Sequence, residues 1–381
     1  MRRISELCRG CSACLGVCPR NAIEMRLSEY GFYAAVKTSD CVECGRCSHF
    51  CENLRDDARP LSHGGVFACV ALDSKSTERS SSGGIGYLLA KSALSEGSKV
   101  VGCTYDTSTV GARHVVIDKE SDLGKIQGSL YLMSDFSATV KAITSAQVSR
   151  GAIFGTPCQV AGIHGLLTRL RKRSDYLLVD IFCHGVPSQF AWERHVKSLE
   201  QRGLVEPASS FSFRQKKSYV LTSSKEGRSS YSKPCGQDGF FRLFLEGSIF
   251  NEACYSCPYR RSSYADLRLG DIACGDYLKL PFAPSCVIAN TKKGMLAFEK
   301  IASQLDCAEL PWGVVDAVQD KGDRGIPETR ATILSRIERG KSPNEICRGE
   351  ILLSKIKTLV KRKGGNARKP GPTSLAEIGN K

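Results

Sequence analysis

No run of ~18 or more uninterrupted apolar residues occurs in this 381-residue chain, which excludes a hydrophobic membrane-spanning helix. The first residues also lack the apolar h-region of a secretory signal, so a soluble, cytoplasmic protein without a membrane span is expected. Acid is in deficit: 39 Asp and Glu stand against 54 Lys and Arg, a formal charge of +15. This basic excess lacks aromatic interleaving and a base-reading motif, so no nucleic-acid partner is expected. Part of it collects at Lys355, Lys357, Lys361, Arg362, Lys363, Arg368 and Lys369, beside Gly and Pro. Such a run is either a solvated tail or a docking segment for an acidic partner or anionic surface. No fixed-period repeat is present apart from a doubled run of cysteines. The length suggests two or three folding units of roughly 100–200 residues each.

Cysteine is the abundant residue. There are 19, eight of them within the first 51 positions, and the odd total argues against complete disulfide pairing. In a reducing compartment, regularly spaced cysteines are metal or cluster ligands. The first run is Cys8-x2-Cys11-x2-Cys14-x3-Cys18-Pro19, and the second is Cys41-x2-Cys44-x2-Cys47-x3-Cys51-Glu52. Two intervening residues wrap a short loop around three iron corners, and in two-cluster ferredoxins the fourth cysteine crosses to the other cluster. The expected sets are Cys8, Cys11, Cys14 and Cys51 for one 4Fe-4S cluster, and Cys18, Cys41, Cys44 and Cys47 for the other. Structural zinc prefers paired Cys-x2-Cys knuckles, and an intact fourfold run repeated with its x3 spacing does not suit it. Two oxidised clusters at about −2 each bring the charge to roughly +11. Glu52 stands where a proline often follows the last cysteine, which removes no ligand. Between the runs, Ile23, Met25, Phe32, Tyr33 and Val36 offer a very small core, too small to fold without the clusters as staples.

Beyond a polar linker the pattern changes. Val66 to Leu72, Lys99 to Tyr105, His114 to Asp118, Gly151 to Phe154 and Tyr176 to Phe182 read as strands. Tyr87 to Leu94, Asp135 to Ala146 and Val160 to Arg171 read as helices. This alternation implies an α/β sheet with parallel pairs whose strand carboxyl ends form the site. Cys158 and Cys183 fall on two such ends. Residues 205–290 look more β-rich, with Phe211 to Arg214, Ser218 to Ser223 and Leu267 to Asp271 as strands, and the last 50 residues read as a helix and a tail. The fold class is α+β, with units at 1–58, 63–150, 151–330 and 331–381.

Four further cysteines occupy suggestive positions: Cys158 in Gly155-Thr156-Pro157-Cys158-Gln159, Cys183 in Cys183-His184-Gly185-Val186-Pro187, and the pair Cys254-x2-Cys257-Pro258. Two strand-end cysteines and a Cys-x2-Cys loop make a chemically sensible site for a third 4Fe-4S cluster. A set drawn partly from Cys274 or Cys286, or buried free thiols that only pack, are the alternatives. Cys69, Cys103, Cys235, Cys307 and Cys347 show no ligand spacing and read as structural.

Together with Ser81-Ser82-Gly83-Gly84 and Gly270-Asp271, these strings resemble the coenzyme F420 hydrogenase/dehydrogenase beta subunit family over roughly residues 1 to 290. The resemblance implies a bacterial-type dicluster ferredoxin domain followed by an α/β flavoprotein body that holds FAD. It is similar to members associated with bacterial polysaccharide synthesis. Small residues at 81–84 before a helix let a phosphate or ring approach backbone amides, and Thr156 at a strand end adds a donor. Ser81, Ser82, Gly83, Gly84 and Thr156 are therefore the candidate cofactor contacts. A plain Gly-Ser turn is the alternative. His184 is the candidate catalytic residue because an imidazole titrates near neutral pH; orienting its loop is the plainer role. His114 reads as a surface or packing histidine. Family members often carry a basic residue before Tyr131, and this chain has Leu130 there, which puts a charged contact at that point in doubt.

The expected function is an iron–sulfur flavoprotein oxidoreductase. A redox partner such as ferredoxin would exchange electrons with the N-terminal clusters, and FAD would pass pairs to a small-molecule substrate, a deazaflavin or a polysaccharide-pathway compound. The alternative is a non-catalytic electron-transfer subunit that docks an acidic redox partner. Arg214, Lys216, Lys217, Arg260 and Arg261 are possible anion contacts, or simply a solvated face.

Overall fold

The computed structural model describes residues 3–56, 65–215, 218–272, 283–319 and 324–349. Cys274, Lys216, Lys217 and the basic residues from 355 onward lie outside them. The N-terminal module contains β1 (Ile23–Leu27), β2 (Tyr33–Lys37) and α1 (Arg46–Asp56). Along the body follow β3 (Val66–Ala71), α2 (Ser74–Glu78), α3 (Ile85–Ser95), β4 (Lys99–Asp106), β5 (Gly111–Ile117), β6 (Ser134–Asp135), α4 (Ser137–Thr144), β7 (Gly151–Gly155), α5 (Pro157–Arg169) and β8 (Tyr176–Ile181). Next come α6 (Gln189–Gln201), β9 (Ser210–Ser212), β10 (Val220–Lys225), β11 (Arg228–Pro234), α7 (Gly239–Glu246), β12 (Leu267–Asp271), β13 (Ser285–Ala289), α8 (Lys292–Glu299), β14 (Leu305–Glu309), α9 (Trp312–Gln319) and α10 (Arg330–Glu338).

Nine strands form one mixed sheet in the order β14-β3-β13-β12-β8-β7-β4-β5-β6. Its centre, β4, β7, β8 and β12, is parallel, and β13, β3 and β14 extend one edge antiparallel. Central parallel strands are covered on both faces, which explains why Tyr176–Ile181 is an almost continuous apolar run. Side chains alternate between faces: Val179, Leu267, Leu269 and Val287 pack under α3 and α8, whereas Val101, Ile153, Tyr176 and Leu178 pack under α4 and α5. The carboxyl ends of the parallel strands therefore present Gly155, Ile181 and Asp271 at one end of the sheet.

The N-terminal module has no separate core. Cys14, Val17, Ile23, Ala35 and Cys47 belong to the same buried cluster as Phe136, Ile163 and Leu166 of the body. The hairpin also accepts hydrogen bonds across the junction: Gln189 N–H bonds the Gly31 carbonyl at 2.8 Å, and Ser188 Oγ bonds the Tyr30 carbonyl at 2.5 Å. A module this small thus buries its apolar surface on a larger neighbour as well as around its cysteines.

A three-stranded sheet, β11-β10-β9, packs with α6, α7 and α10 around Trp192, Phe213, Phe240 and Phe241. The region expected to be β-rich therefore contains a helix, capped by Asp238, whose carboxylate accepts from Phe241 N–H at 2.9 Å. The expected single C-terminal helix is two: α10 stops before Gly340, which has φ +93°, and residues 343–349 form another. Cys69 and Cys307 sit opposite each other on β3 and β14 and are joined as a disulfide. Among the described residues no helix is long and apolar enough to cross a membrane.

Candidate functional site

The eight N-terminal cysteines stand around two gaps. Cys8, Cys11, Cys14 and Cys51 line the inner one, and Cys18, Cys41, Cys44 and Cys47 the outer one. These are the crossed sets that the spacing implies. The crossing has a local cause: Cys14 lies within one 3-10 turn, Ala13–Val17, and Cys18 caps its end, while Cys47 and Cys51 lie one turn apart on α1, so each element offers one thiol to each gap. Backbone donors face the sulfurs, with Ala22 N–H 3.2 Å from Cys18 Sγ and Gly10 N–H 3.5 Å from Cys8 Sγ. Among the described residues no three His, Cys, Asp or Glu side chains converge on one point as the ligands of a single ion do.

The inner gap is desolvated. Burial pushes the Cys11 thiol up to about 12, with the neighbouring Cys8, Cys158 and Cys51 sulfurs adding to it, and raises Cys14 as well. The wall against the body is tight. A Cβ on Gly162 of α5 would stand 2.9 Å from Cys11 Sγ, so only glycine lets the helix approach this loop. Asn251 Nδ2 donates to the Cys8 carbonyl at 3.1 Å and ties the first loop to the body. The outer gap is open by contrast: Cys44 is exposed and Val42 is 60% exposed.

Cys158, Cys183, Cys254 and Cys257 are brought together. Cys183 feels Cys158 and Cys257, and Cys254 feels Cys183, Cys158 and Cys257. Burial, then these neighbours, pushes Cys158 up to about 11 and Cys183 up to about 12. Each position has a local reason. Cys158 occupies the first turn of α5 after Pro157, and the cap is closed by Thr156 N–H donating to Gln159 Oε1 at 3.0 Å. Cys183 follows the end of β8. The Cys254–Cys257 loop is held to the sheet by a buried pair: Arg268 of β12 bonds Asp180 of β8 at 2.6 and 2.7 Å, and also reaches the Ser262 and Tyr259 carbonyls at 2.9 and 3.2 Å. Cys286 lies in the apolar cluster with Val66, Ala68 and Ile288, and its alternative partner Cys274 lies outside the described residues. Cys158 and Tyr259 also line the inner gap, which makes the third set its neighbour.

The Ser81–Gly84 segment sits at the same end of the sheet, ahead of α3, but its residues are engaged with the protein. Ser81 Oγ donates to Ser129 Oγ at 2.7 Å, and the hydroxyls of Ser82 and Ser285 lie 2.9 Å apart. Gly83 abuts the Cys69 carbonyl, where a Cβ would collide, and Gly84 has φ +83° at the helix cap. Thr156 Oγ1 lies 3.1 Å from Gln159 Oε1 and 3.3 Å from Cys158 Sγ. His184 is half-buried directly after Cys183. His114 is a packing histidine: Nε2 lies 3.1 Å from the Phe154 carbonyl, and burial lowers its pKa to about 4.

Arg214 is buried rather than solvated. Its Nη1 donates to Asp271 at 2.7 Å and to Tyr131 Oη at 3.2 Å, its Nη2 donates to the Ser81 carbonyl, and its guanidinium lies over Tyr219. A cation thus stands beside Tyr131 although residue 130 is Leu. Arg260 is also buried, and it bonds the Cys254 carbonyl, while Arg261 is exposed. Sequence reasoning missed Arg9, Tyr259, Asn251 and the Asp180–Arg268 pair. No spacing announces them, because their partners come from remote parts of the chain.

Residues 7–53 match the family described as 4Fe-4S dicluster domain, and residues 148–310 match the family that covers the C terminus of the coenzyme F420 hydrogenase/dehydrogenase beta subunit. An uncharacterized protein of Methanocaldococcus jannaschii, MJ1349, is 23% identical over 232 residues, which are 52% of this chain and 64% of that protein. The chain thus aligns with less than two thirds of that curated relative. A chain of the F420-reducing [NiFe] hydrogenase complex from Methanosarcina barkeri is similar at 15% identity and a TM-score of 0.49, covering 77% of this chain and 93% of that one. The polypeptide thus carries an N-terminal segment that matches the 4Fe-4S dicluster domain and a later segment that matches the C-terminal domain of the coenzyme F420 hydrogenase/dehydrogenase beta subunit.

Proposed function

We propose that this chain is an oxidoreductase that carries electrons from the outer gap, through the inner gap, to the third cysteine set and on to a flavin at the sheet end. The observation that carries this reading is the dual position of Cys158, which lines the inner gap and also belongs to the set with Cys183, Cys254 and Cys257. When bound, 4Fe-4S clusters exchange electrons singly and a flavin accepts one or two, so the pair links one-electron to two-electron chemistry.

The chain's own residues divide the work. Cys44 and Val42 open the outer gap to a redox partner such as ferredoxin. Gly162 and Asn251 hold the inner gap against the body. The donor set at the sheet end suits an anionic cofactor: the amino end of α3 and the Arg214 guanidinium meet at the Ser81 loop, where FAD would bring its diphosphate. His184 is the residue there able to hold or move a proton for a small-molecule substrate. A deazaflavin is one candidate substrate; a compound of polysaccharide synthesis is another.

Flavin extraction from anaerobically purified and FAD-reconstituted protein tests this reading. Stoichiometric flavin in the wild type, and its loss in Arg214→Gln, are expected. Protein that stays free of flavin in excess FAD would contradict it.

A further inference from the structure

Arg9 lies between Cys8 and Cys11 in the first run, yet its side chain is directed at the body. It lines the inner gap together with Cys158 and Tyr259 of the body, and Cys257 and Cys254 are close enough to interact with it electrostatically. Its guanidinium carbon sits 5.7 Å from the centre of the Tyr259 ring, within cation–π range. Its Nε is buried without a hydrogen-bond partner. No carboxylate among the described residues pairs with it. A largely desolvated cation without a counter-ion is costly, and proteins seldom keep one unless an anion faces it. Cys158 of the third set lines the same gap as Arg9 and Tyr259, so an anion held by that set would face the guanidinium. Four thiolates on a 4Fe-4S cluster are a sufficient one, at about −2 when oxidised and more negative when reduced.

We propose that Arg9, supplied by the ferredoxin module, is the counter-charge of the group bound by Cys158, Cys183, Cys254 and Cys257, and makes that group easier to reduce. The proposal rests on the third-cluster reading above. Arg9 acts through charge and touches no substrate, so it is a positioning residue. Its placement biases the equilibrium of an electron on the inner gap toward the body, because a fixed positive charge stabilises the added negative one. Arg260, on the Cys183 side, supplies a second guanidinium from the body itself and bonds the Cys254 carbonyl. Only Arg9 ties the charge of the third set to docking of the module.

The test is an anaerobic redox titration of the reconstituted full chain, followed by electron paramagnetic resonance with iron assay. Wild type, Arg9→Gln and Arg9→Lys are compared, and a Cys254→Ala/Cys257→Ala variant identifies the body signal. The expected results are about 12 irons in wild type and Arg9→Gln. In Arg9→Gln the body cluster's reduction equilibrium constant should fall about tenfold, about 59 mV for one electron, with smaller changes at the other two. Arg9→Lys should recover most of the difference, since it keeps the charge. About 12 irons with unchanged potentials in Arg9→Gln would overturn the role of Arg9 and leave the third cluster standing. About eight irons in wild type would overturn both. A shift confined to the inner cluster, one of the two that survive Cys254→Ala/Cys257→Ala, would assign Arg9 to the inner gap instead and defeat the proposal.

Discussion

The inner and outer gaps have the same ligand spacing and opposite surroundings. The outer one is edged by exposed Cys44 and Val42 and by the Lys37–Glu43 ion pair at 2.5 Å. The inner one is backed by α5, Cys158, Tyr259 and Asn251. Identical local chemistry therefore has two different dielectric settings, and solvent exposure and hydrogen bonds to sulfur are what tune such clusters. One gap faces solvent and the other faces the body.

Disturbing the body should alter the inner gap and leave the outer one alone. The largest effect is expected from Asp180→Asn, which leaves the Arg268 guanidinium buried without its counter-ion. A loss of about 3–5 kcal/mol in denaturant unfolding is expected, and the Cys254–Cys257 loop should lose its anchor. An unchanged midpoint would show that the pair does not hold the loop.

His114 gives a pH prediction. Its folded pKa, lowered to about 4 by burial, lies below its ordinary 6.5. Between these values the unfolded chain binds the extra proton, so stability falls as pH drops from 6.5 toward 4, by up to about 3 kcal/mol. His114→Gln should flatten that slope in unfolding measured across the range; a slope unchanged by the substitution would refute the assignment.

Gly162→Ala should cost about 1–3 kcal/mol by pressing a methyl against Cys11. It should perturb the resonance signal of the inner cluster and spare that of the outer. Equal perturbation of both would break the comparison. The smallest effect is expected at Lys37→Gln, about 0–1 kcal/mol because the pair is solvent-exposed. Its mark would be on partner-dependent reduction of the outer cluster and its salt dependence.

Local rules made part of this molecule legible. The crossed cysteine sets follow from spacing, and Tyr176–Ile181 announced itself by being buried on both faces. Asp238 before Phe241 and Gly247 after Glu246 were usable signals for α7, yet the aromatic residues between them favour strands in isolation and the helix was missed. The glycines at 83 and 84 also have reasons within the fold that spacing does not announce: Gly83 abuts the Cys69 carbonyl, and Gly84 has a left-handed backbone. Contacts that join remote segments leave no local trace. Asp180 meets Arg268 across 88 residues, Cys69 meets Cys307 across 238, and Arg9 faces cysteines 149 or more positions away.

The most direct test of the central claim, that the body holds a cluster of its own beside the inner gap, is iron and acid-labile sulfide per chain in wild type and in Cys254→Ala/Cys257→Ala after anaerobic reconstitution. The account predicts about 12 irons falling to about eight. Equal iron in the two proteins would contradict it.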